Sequence, residues 1–148
     1  MAENQFLTTY DPEQVIVTFG GTPISGFAEG TFIDVAKASK GFTRKVGADG
    51  EVVRSKSANR CHDVTMTLLQ SSQSNDYLSA MEQKDAAAGD NLLALAITDL
   101  NGETLMSWNQ AWVEEPDSWG YGGEVTDRAW VFHTGQVSTN NKGGNSVG

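Results

Sequence analysis

Apolar and polar residues alternate with a period of two along much of this chain, the pattern of strands that bury one face. Between Asp63 and Gln70, Val64, Met66 and Leu68 fall on one side and Thr65 and Thr67 on the other. Val15, Val17 and Phe19 alternate with Ile16 and Thr18, which predicts a short strand covered on both faces. Gly20-Gly21-Thr22-Pro23 breaks it. Residues 24–30, with Gly26 and Gly30, read as an irregular or bulged strand near a sheet edge, and residues 31–37 as extended again. Two hairpins are expected. In the first, Asp49-Gly50 accepts the positive backbone angles of a two-residue turn between residues 44–47 and 51–57. That register sets Val46 opposite Val53 and Lys45 opposite Arg54, with Arg44 near Lys56. In the second, Asn101-Gly102 joins residues 92–98 to 104–113. It pairs Ile97 with Met106, Leu95 with Trp108 and Leu93 with Gln110 on a core face. The opposite face pairs Ala96 with Ser107, Ala94 with Asn109 and Leu92 with Ala111. Such a small, weakly polar face can accept a neighbouring backbone or line a channel. Residues 125–137 predict one long closing strand, with Trp130 and Phe132 on one face and Ala129 and Val131 on the other.

The period shifts to that of a helix only over residues 74–88. Ser74 or Asn75 can cap it, Asp76 suits its positive first turn, and Gly89 can end it in a left-handed conformation. Tyr77, Leu78 and Met81 make a thin apolar stripe that predicts packing on a sheet. Residues 1–13 read as a polar N-terminal arm and residues 138–148 as a flexible tail. The expected fold is mainly β: an antiparallel sandwich or barrel of seven to eight strands with one flanking helix, in a single domain spanning residues 1–148.

Composition narrows the function. The 148 residues are 39 % hydrophobic and 20 % charged, enough to build a core. Cys61 stands alone, which excludes an internal disulfide and every multi-cysteine metal site. No basic start or apolar run marks a secretory signal, and no stretch approaches the roughly 20 apolar residues of a membrane span. Charge is segregated. Residues 1–36 carry a net −5, residues 37–60 a net +5 and residues 61–148 a net −9, for a total of −9. A basic arm on an acidic body suggests self-association. The acidic balance opposes tight nucleic-acid binding, which draws on Lys and Arg.

The run VGADGEVVRSKS, followed by VTMTLLQSSQSNDYLSAM and then ITDLNGETL, resembles a family of bacteriophage tail tube proteins from phages with long, often contractile, tails. The resemblance spans roughly residues 15–136, and its most specific part is the pair GADGEV and SNDYLS at this separation. It implies a β-sandwich or barrel subunit that forms homohexameric rings, stacked into a conduit for DNA ejection. It further implies a virion component assembled in the host cytoplasm, without catalysis or cofactor. The partners implied are other copies of itself and the tail sheath, tape measure and baseplate proteins, with DNA passing through unbound and no membrane involved. The tube ring protein of contractile secretion machines shares this plan and is the alternative reading among structural proteins.

The residues offer few rival chemistries. In an extended Cys61-His62-Asp63 run, neighbours point to opposite faces, so His62 cannot meet either flanking side chain as a triad would require. His133, mid-strand and without HxH or HExxH spacing, reads as a hydrogen-bonded structural histidine. Glu114-Glu115 before a proline reads as a solvated turn. Asp117, Trp119 and Tyr121 nearby could form a sugar-stacking platform, which keeps a carbohydrate-binding module as an alternative. No phosphate-cradling glycine motif occurs. The basic cluster of Lys37, Lys40, Arg44, Lys45, Arg54, Lys56 and Arg60 has three readings: a solvated hairpin, a contact with acidic groups of an adjacent subunit or ring, and a nucleic-acid patch. The last lacks stacking aromatics apart from Phe42. Arg44, Lys45, Asp49, Gly50, Arg54 and Lys56 are therefore the candidate inter-ring residues, and Ala94, Ala96, Ser107 and Asn109 the candidate luminal or interface face.

Overall fold

The structure, a computed structural model, describes residues 11–100, 104–116 and 118–143. The expected Asn101-Gly102 turn, most of the expected N-terminal arm, Asp117 and residues 144–148 lie outside the described residues.

A short 3-10 turn, Pro12–Gln14, leads into β1, Val15–Phe19; its N-cap carboxylate, Asp11, accepts from the Glu13 amide at 2.9 Å. Gly20 and Gly21, with φ of 62° and 82°, reverse the chain in two residues, positive angles that glycine adopts without steric cost. The chain returns as β2, Thr22–Ile24. Thr22 and Pro23 thus lie within a strand rather than in the break expected there. Proline is tolerated because β2 is an edge and pairs only with β1. Residues 25–32 cross to β6 through an isolated Phe27–Leu68 bridge, and β3 follows at Ile33–Lys37. Then come β4, Phe42–Val46; β5, Val52–Lys56; β6, His62–Leu69; helix α1, Ser74–Ala88; β7, Leu93–Asp99; β8, Leu105–Glu114; β9, Asp127–Thr134; and β10, Val137–Asn141.

Eight strands form one antiparallel sheet in the order β2-β1-β7-β8-β9-β6-β3, with β10 beside the first half of β8; β4 and β5 form a separate ribbon. Cross-strand register builds two apolar rows. One runs Phe19, Leu95, Trp108, Val137, and the other Val35, Val64, Phe132, Val113. The rings of Phe19 and Phe132 meet edge to face at 5.1 Å although β1 and β9 stand three strands apart in the order. At about 4.8 Å per strand this contact requires the sheet to curl over on itself, with the two rows enclosing the core. The barrel half of the expectation is not met. β2 and β3 end the sheet without pairing to each other, so no closed barrel forms.

Helix α1 lies against the curled sheet. Leu78 is fully buried, the Tyr77 hydroxyl donates to the Phe19 carbonyl at 2.8 Å, and the Trp130 indole donates to Asn75 Oδ1 at 2.9 Å. The cap differs from the expected one. Gln73 takes the N-cap position with no side-chain cap, while Asn75 turns back to donate to the Leu69 and Gln70 carbonyls. Gly89 ends the helix with φ 75°, as expected.

Three further expectations are corrected. Ile16 is 38 % exposed, so β1 is covered on one face only. The expected single strand 125–137 is two, because the chain turns at Gly135, whose amide donates to the Gln110 carbonyl at 2.8 Å. The expected flexible tail begins as β10, paired to β8 through Asn141, with the Thr104 hydroxyl donating to the Gly143 carbonyl at 2.6 Å. Its side chains are polar, and main-chain hydrogen bonds hold it in place.

Candidate functional site

Between Val46 and Val52 the chain needs five residues to reverse, not the two expected. The Gly47 amide donates to the Glu51 carbonyl at 2.7 Å, and the Asp49 carboxylate accepts from the Glu51 amide at 3.1 Å. Gly50, at φ 89°, supplies the left-handed step. The longer loop shifts the register by one residue. Val46 faces Val52, Lys45 faces Val53, Arg44 faces Arg54 and Phe42 faces Lys56. The like-charge pair is therefore Arg44 with Arg54. Arg54 offsets part of that repulsion by lying over the Phe42 ring, 4.2 Å from its centroid.

Directly opposed residues share a face of a ribbon, so Phe42, Arg44, Val46, Val52, Arg54 and Lys56 lie together and Lys45 and Val53 lie behind. Every residue of both strands is exposed; Val46 and Val52 expose 58 % and 59 % of their surface. An isolated two-stranded ribbon is marginal in water. Here three apolar and three basic side chains share one uncovered face.

The neck of the ribbon is better tied down. The Ser57 amide donates to the Gly41 carbonyl at 2.7 Å. Gln136, at the corner between β9 and β10, accepts from the Arg60 amide at 2.8 Å and donates to the Ala58 carbonyl at 3.1 Å. Sequence reasoning missed this clamp, since a lone glutamine after a glycine carries no pattern.

In the second hairpin, Ile97 meets Met106, Leu95 meets Trp108 and Ala96 meets Ser107, as expected. A bulge then moves Leu93 opposite Ala111, so Leu93 does not meet Gln110, and Ala94 and Leu92 lose their expected partners. Two rows of the outer face nonetheless carry no charge across four strands. Thr18, Ala96, Ser107 and Thr139 form one row, and Ile16, Thr98, Leu105 and Asn141 the next. Ala94 and Asn109 are exposed on this sheet, and Ala96 and Ser107 half-buried.

The two histidines differ in role. His62 is buried on the core side of β6, and the Trp108 indole donates to its Nδ1 at 3.3 Å. Burial, then the charges of Lys142 and Lys37, holds its pKa below the ordinary value. His133 stands half-buried between two carboxylates, Nδ1 2.7 Å from Asp63 and Nε2 3.0 Å from Glu114. Burial opposes its charge, but the hydrogen bonds it donates to Glu114 and Asp63 and their negative charges outweigh burial and raise its pKa. This is the hydrogen-bonded structural histidine expected, and Asp63 serves it from the face opposite His62.

Linkage gives the two residues opposite signs. The stability contributed by His133 is complete below about pH 6.5 and is lost as pH rises through its higher folded value. His62 takes up a proton more readily once unfolded, so its effect is a loss of stability as pH falls below about 6.5. Imidazole NMR titration should find His133 protonated at pH values where His62 is neutral, and Glu114→Gln should lower the His133 midpoint while leaving that of His62 in place. Equal midpoints would contradict the geometry.

Trp119 and Tyr121 are 59 % and 71 % exposed, as expected for the acidic loop. Their rings stand at 86° to each other, with Arg128 lying over both at 5.1 and 5.4 Å. A sugar platform needs an open ring face, and the arginine takes one from each. Among the described residues, no group of three or more His, Cys, Asp or Glu side chains is arranged to hold a metal ion. No helix among them is long and apolar enough to cross a membrane.

The sequence model of the bacteriophage PhiTE tail tube protein family matches residues 9–141. The chain belongs to that family. A curated relative, structural protein ORF10 of Pseudomonas phage KPP10, is 28 % identical over 133 residues, covering 84 % of this chain and 77 % of its own. Solved structures share the fold at low identity. A chain from the sheath/tube terminator of the extracellular contractile injection system PVC superposes with a TM-score of 0.52 at 13 % identity, covering 89 % of this chain and 96 % of that one. A chain from the PVC sheath-tube complex gives 0.51 at 12 %, over 88 % and 90 %. A chain from the tube-terminating cap of the anti-feeding prophage gives 0.51 at 11 %, over 91 % and 93 %. The tail tube family places this protein among the structural components of a phage tail.

Proposed function

We propose that the protein is the major tail tube subunit, forming hexameric rings that stack into the conduit for DNA ejection. The observation that carries this is the ribbon β4–β5. It stands apart from the core, fully exposed, with four bases on a body that is otherwise strongly acidic. A subunit built to remain alone would have little use for it. In the stack, Arg44, Lys45, Arg54 and Lys56 meet acidic groups of the next ring, with Asp49 and Gly50 shaping the tip. The charge-free outer face around Ala94, Ala96, Ser107 and Asn109 faces either the neighbouring subunit or the lumen. The unpaired edges at β2 and β3 are covered by neighbours, which removes the hazard that open edges carry. The acidic remainder repels DNA phosphates and keeps the passage free of specific binding. Sheath, tape measure and baseplate proteins are the further partners, the assembled tail of the virion is the location, and assembly takes place in the host cytoplasm. The role requires no catalysis.

Negative-stain electron microscopy across a concentration series tests this. Rings or hollow tubes that appear as concentration rises are the expected result; a monodisperse monomer throughout would overturn it.

A further inference from the structure

An apolar groove of about 760 Å³ opens on the molecule, lined by Ile16, Pro23, Phe27 and Phe32 with Glu13 and Glu29 among its walls. It lies where the sheet fails to close. The rings of Phe27 and Phe32 meet in it at 5.0 Å, tilted by 38°, and its walls come from the start of β1, from β2 and from the crossing segment before β3. Its position relative to the ribbon follows from register. The Leu69 amide donates to the Gly26 carbonyl and Phe27 bridges Leu68, so the groove sits at the last residues of β6. The ribbon leads into the first, since Lys37 pairs with His62 and the Ala38 amide donates to the Cys61 carbonyl. The eight residues of β6, at about 3.3 Å each, put the ribbon neck and the groove roughly 20 Å or more apart, at opposite ends of the sheet.

We propose that the ribbon of one copy seats in this groove on a second copy, with Phe42, Val46 and Val52 filling it and Arg44, Arg54 and Lys56 reaching Glu13 and Glu29. The inference rests on the reading of the chain as a stacking tube subunit and adds the receptor for its ribbon. Three observations select this occupant. The ribbon face alternates apolar and basic residues, and the groove is apolar with acidic side chains in its walls, so the two match in polarity and in charge. Among the described residues no ribbon residue lines the groove and both ribbon strands are exposed throughout, so the two surfaces do not meet each other within one chain. Donor and acceptor lie at opposite ends of the subunit. Such a heterologous contact repeats head to tail, which builds a stack rather than a closed dimer.

The first test is charge reversal in the groove. Glu13→Lys with Glu29→Lys should raise the concentration needed for tubes by about ten-thousandfold, the two lost pairs repeating over six subunits, with thermal stability retained because both side chains are exposed. Adding Arg44→Glu and Arg54→Glu to that variant should restore assembly. The second test is a disulfide. With Cys61→Ser as background, Phe42→Cys and Phe32→Cys in one chain should oxidise into ladders of linked subunits within tubes. If the wild type forms tubes but the groove variant assembles normally, or no ladder forms, the groove is not the receptor although the tube reading stands. If the wild type forms no tubes at all, both fall. An intrachain disulfide between Phe6→Cys and Phe32→Cys at the expense of the ladder would mean that the chain's own N-terminal segment fills the groove, and would overturn the proposal.

Discussion

Arg44→Glu with Arg54→Glu is expected to prevent the proposed tubes from forming at any accessible concentration while leaving the folded subunit intact. The two arginines oppose each other across the ribbon and touch no core residue; the fully buried side chains are elsewhere. The double variant keeps a like-charge pair at that position, so the ribbon's own pairing changes little beyond loss of the Arg54–Phe42 contact. Assembly suffers because the loss repeats. An exposed ion pair is worth only about 0.5 kcal/mol, but two lost pairs per subunit in the proposed ring of six remove about 6 kcal/mol at each ring-to-ring contact, roughly a ten-thousandfold change in association. Arg44→Glu alone separates docking from ribbon folding. It sets a carboxylate opposite the Arg54 guanidinium, an attractive pair that should firm the ribbon, yet it should still weaken assembly. Light scattering measures assembly and calorimetry measures the fold. Normal tubes from the double variant, or a fall in melting temperature of more than about 5 °C, would contradict this account.

Trp108→Ala acts at the other extreme and strikes the fold itself. Trp108 is fully buried in the row with Phe19, Leu95 and Val137, and its ring stands edge to face with His62 at 5.6 Å. Truncating a buried tryptophan costs about 3–5 kcal/mol through lost burial and the cavity left behind. The His62 Nδ1 also loses its donor, which adds about 1–3 kcal/mol. Against a native stability of about 5–15 kcal/mol, this lowers the melting temperature by about 10–20 °C or unfolds the subunit. Trp119→Ala, which removes an exposed ring, serves as the control and should shift it by less than about 2 °C. Equal effects from the two variants would mean that the core does not centre on Trp108.

Where side-chain pattern decides structure, the sequence was a sufficient guide. Val64, Met66 and Leu68 alternate and are all buried. Leu95–Trp108 and Ile97–Met106 pair as the alternation demands, and the helix spans the expected residues. Prediction failed where the backbone decides. Asp49-Gly50 carries the signal of a tight turn, but the Asp49 carboxylate binds the Glu51 amide and the Gly47–Glu51 hydrogen bond closes a wider loop. That one-residue slip moved the like-charge pair from Lys45–Arg54 to Arg44–Arg54. Strand β10 was invisible because Ser138, Thr139, Asn140 and Asn141 show no alternation and are held to β8 by main-chain bonds. The basic cluster was legible as charge in sequence, whereas the groove was not. Pro23, Phe27 and Phe32 come from an irregular crossing, and only the curl of the sheet gathers them beside Glu13 and Ile16.

The Gln136 clamp at the ribbon neck bears on mechanics. From Ser57 to the tip at Asp49 the ribbon is a lever of about 26 Å at 3.3 Å per residue. A swing of about 10° at the neck would carry the tip through roughly 4 to 5 Å, as far as an ion pair can reach. Two hydrogen bonds from one amide side chain therefore set the aim of four positive charges. In the proposed stack, stiffness at this joint, more than strength at the tip, would govern how straight a column of such subunits can stand.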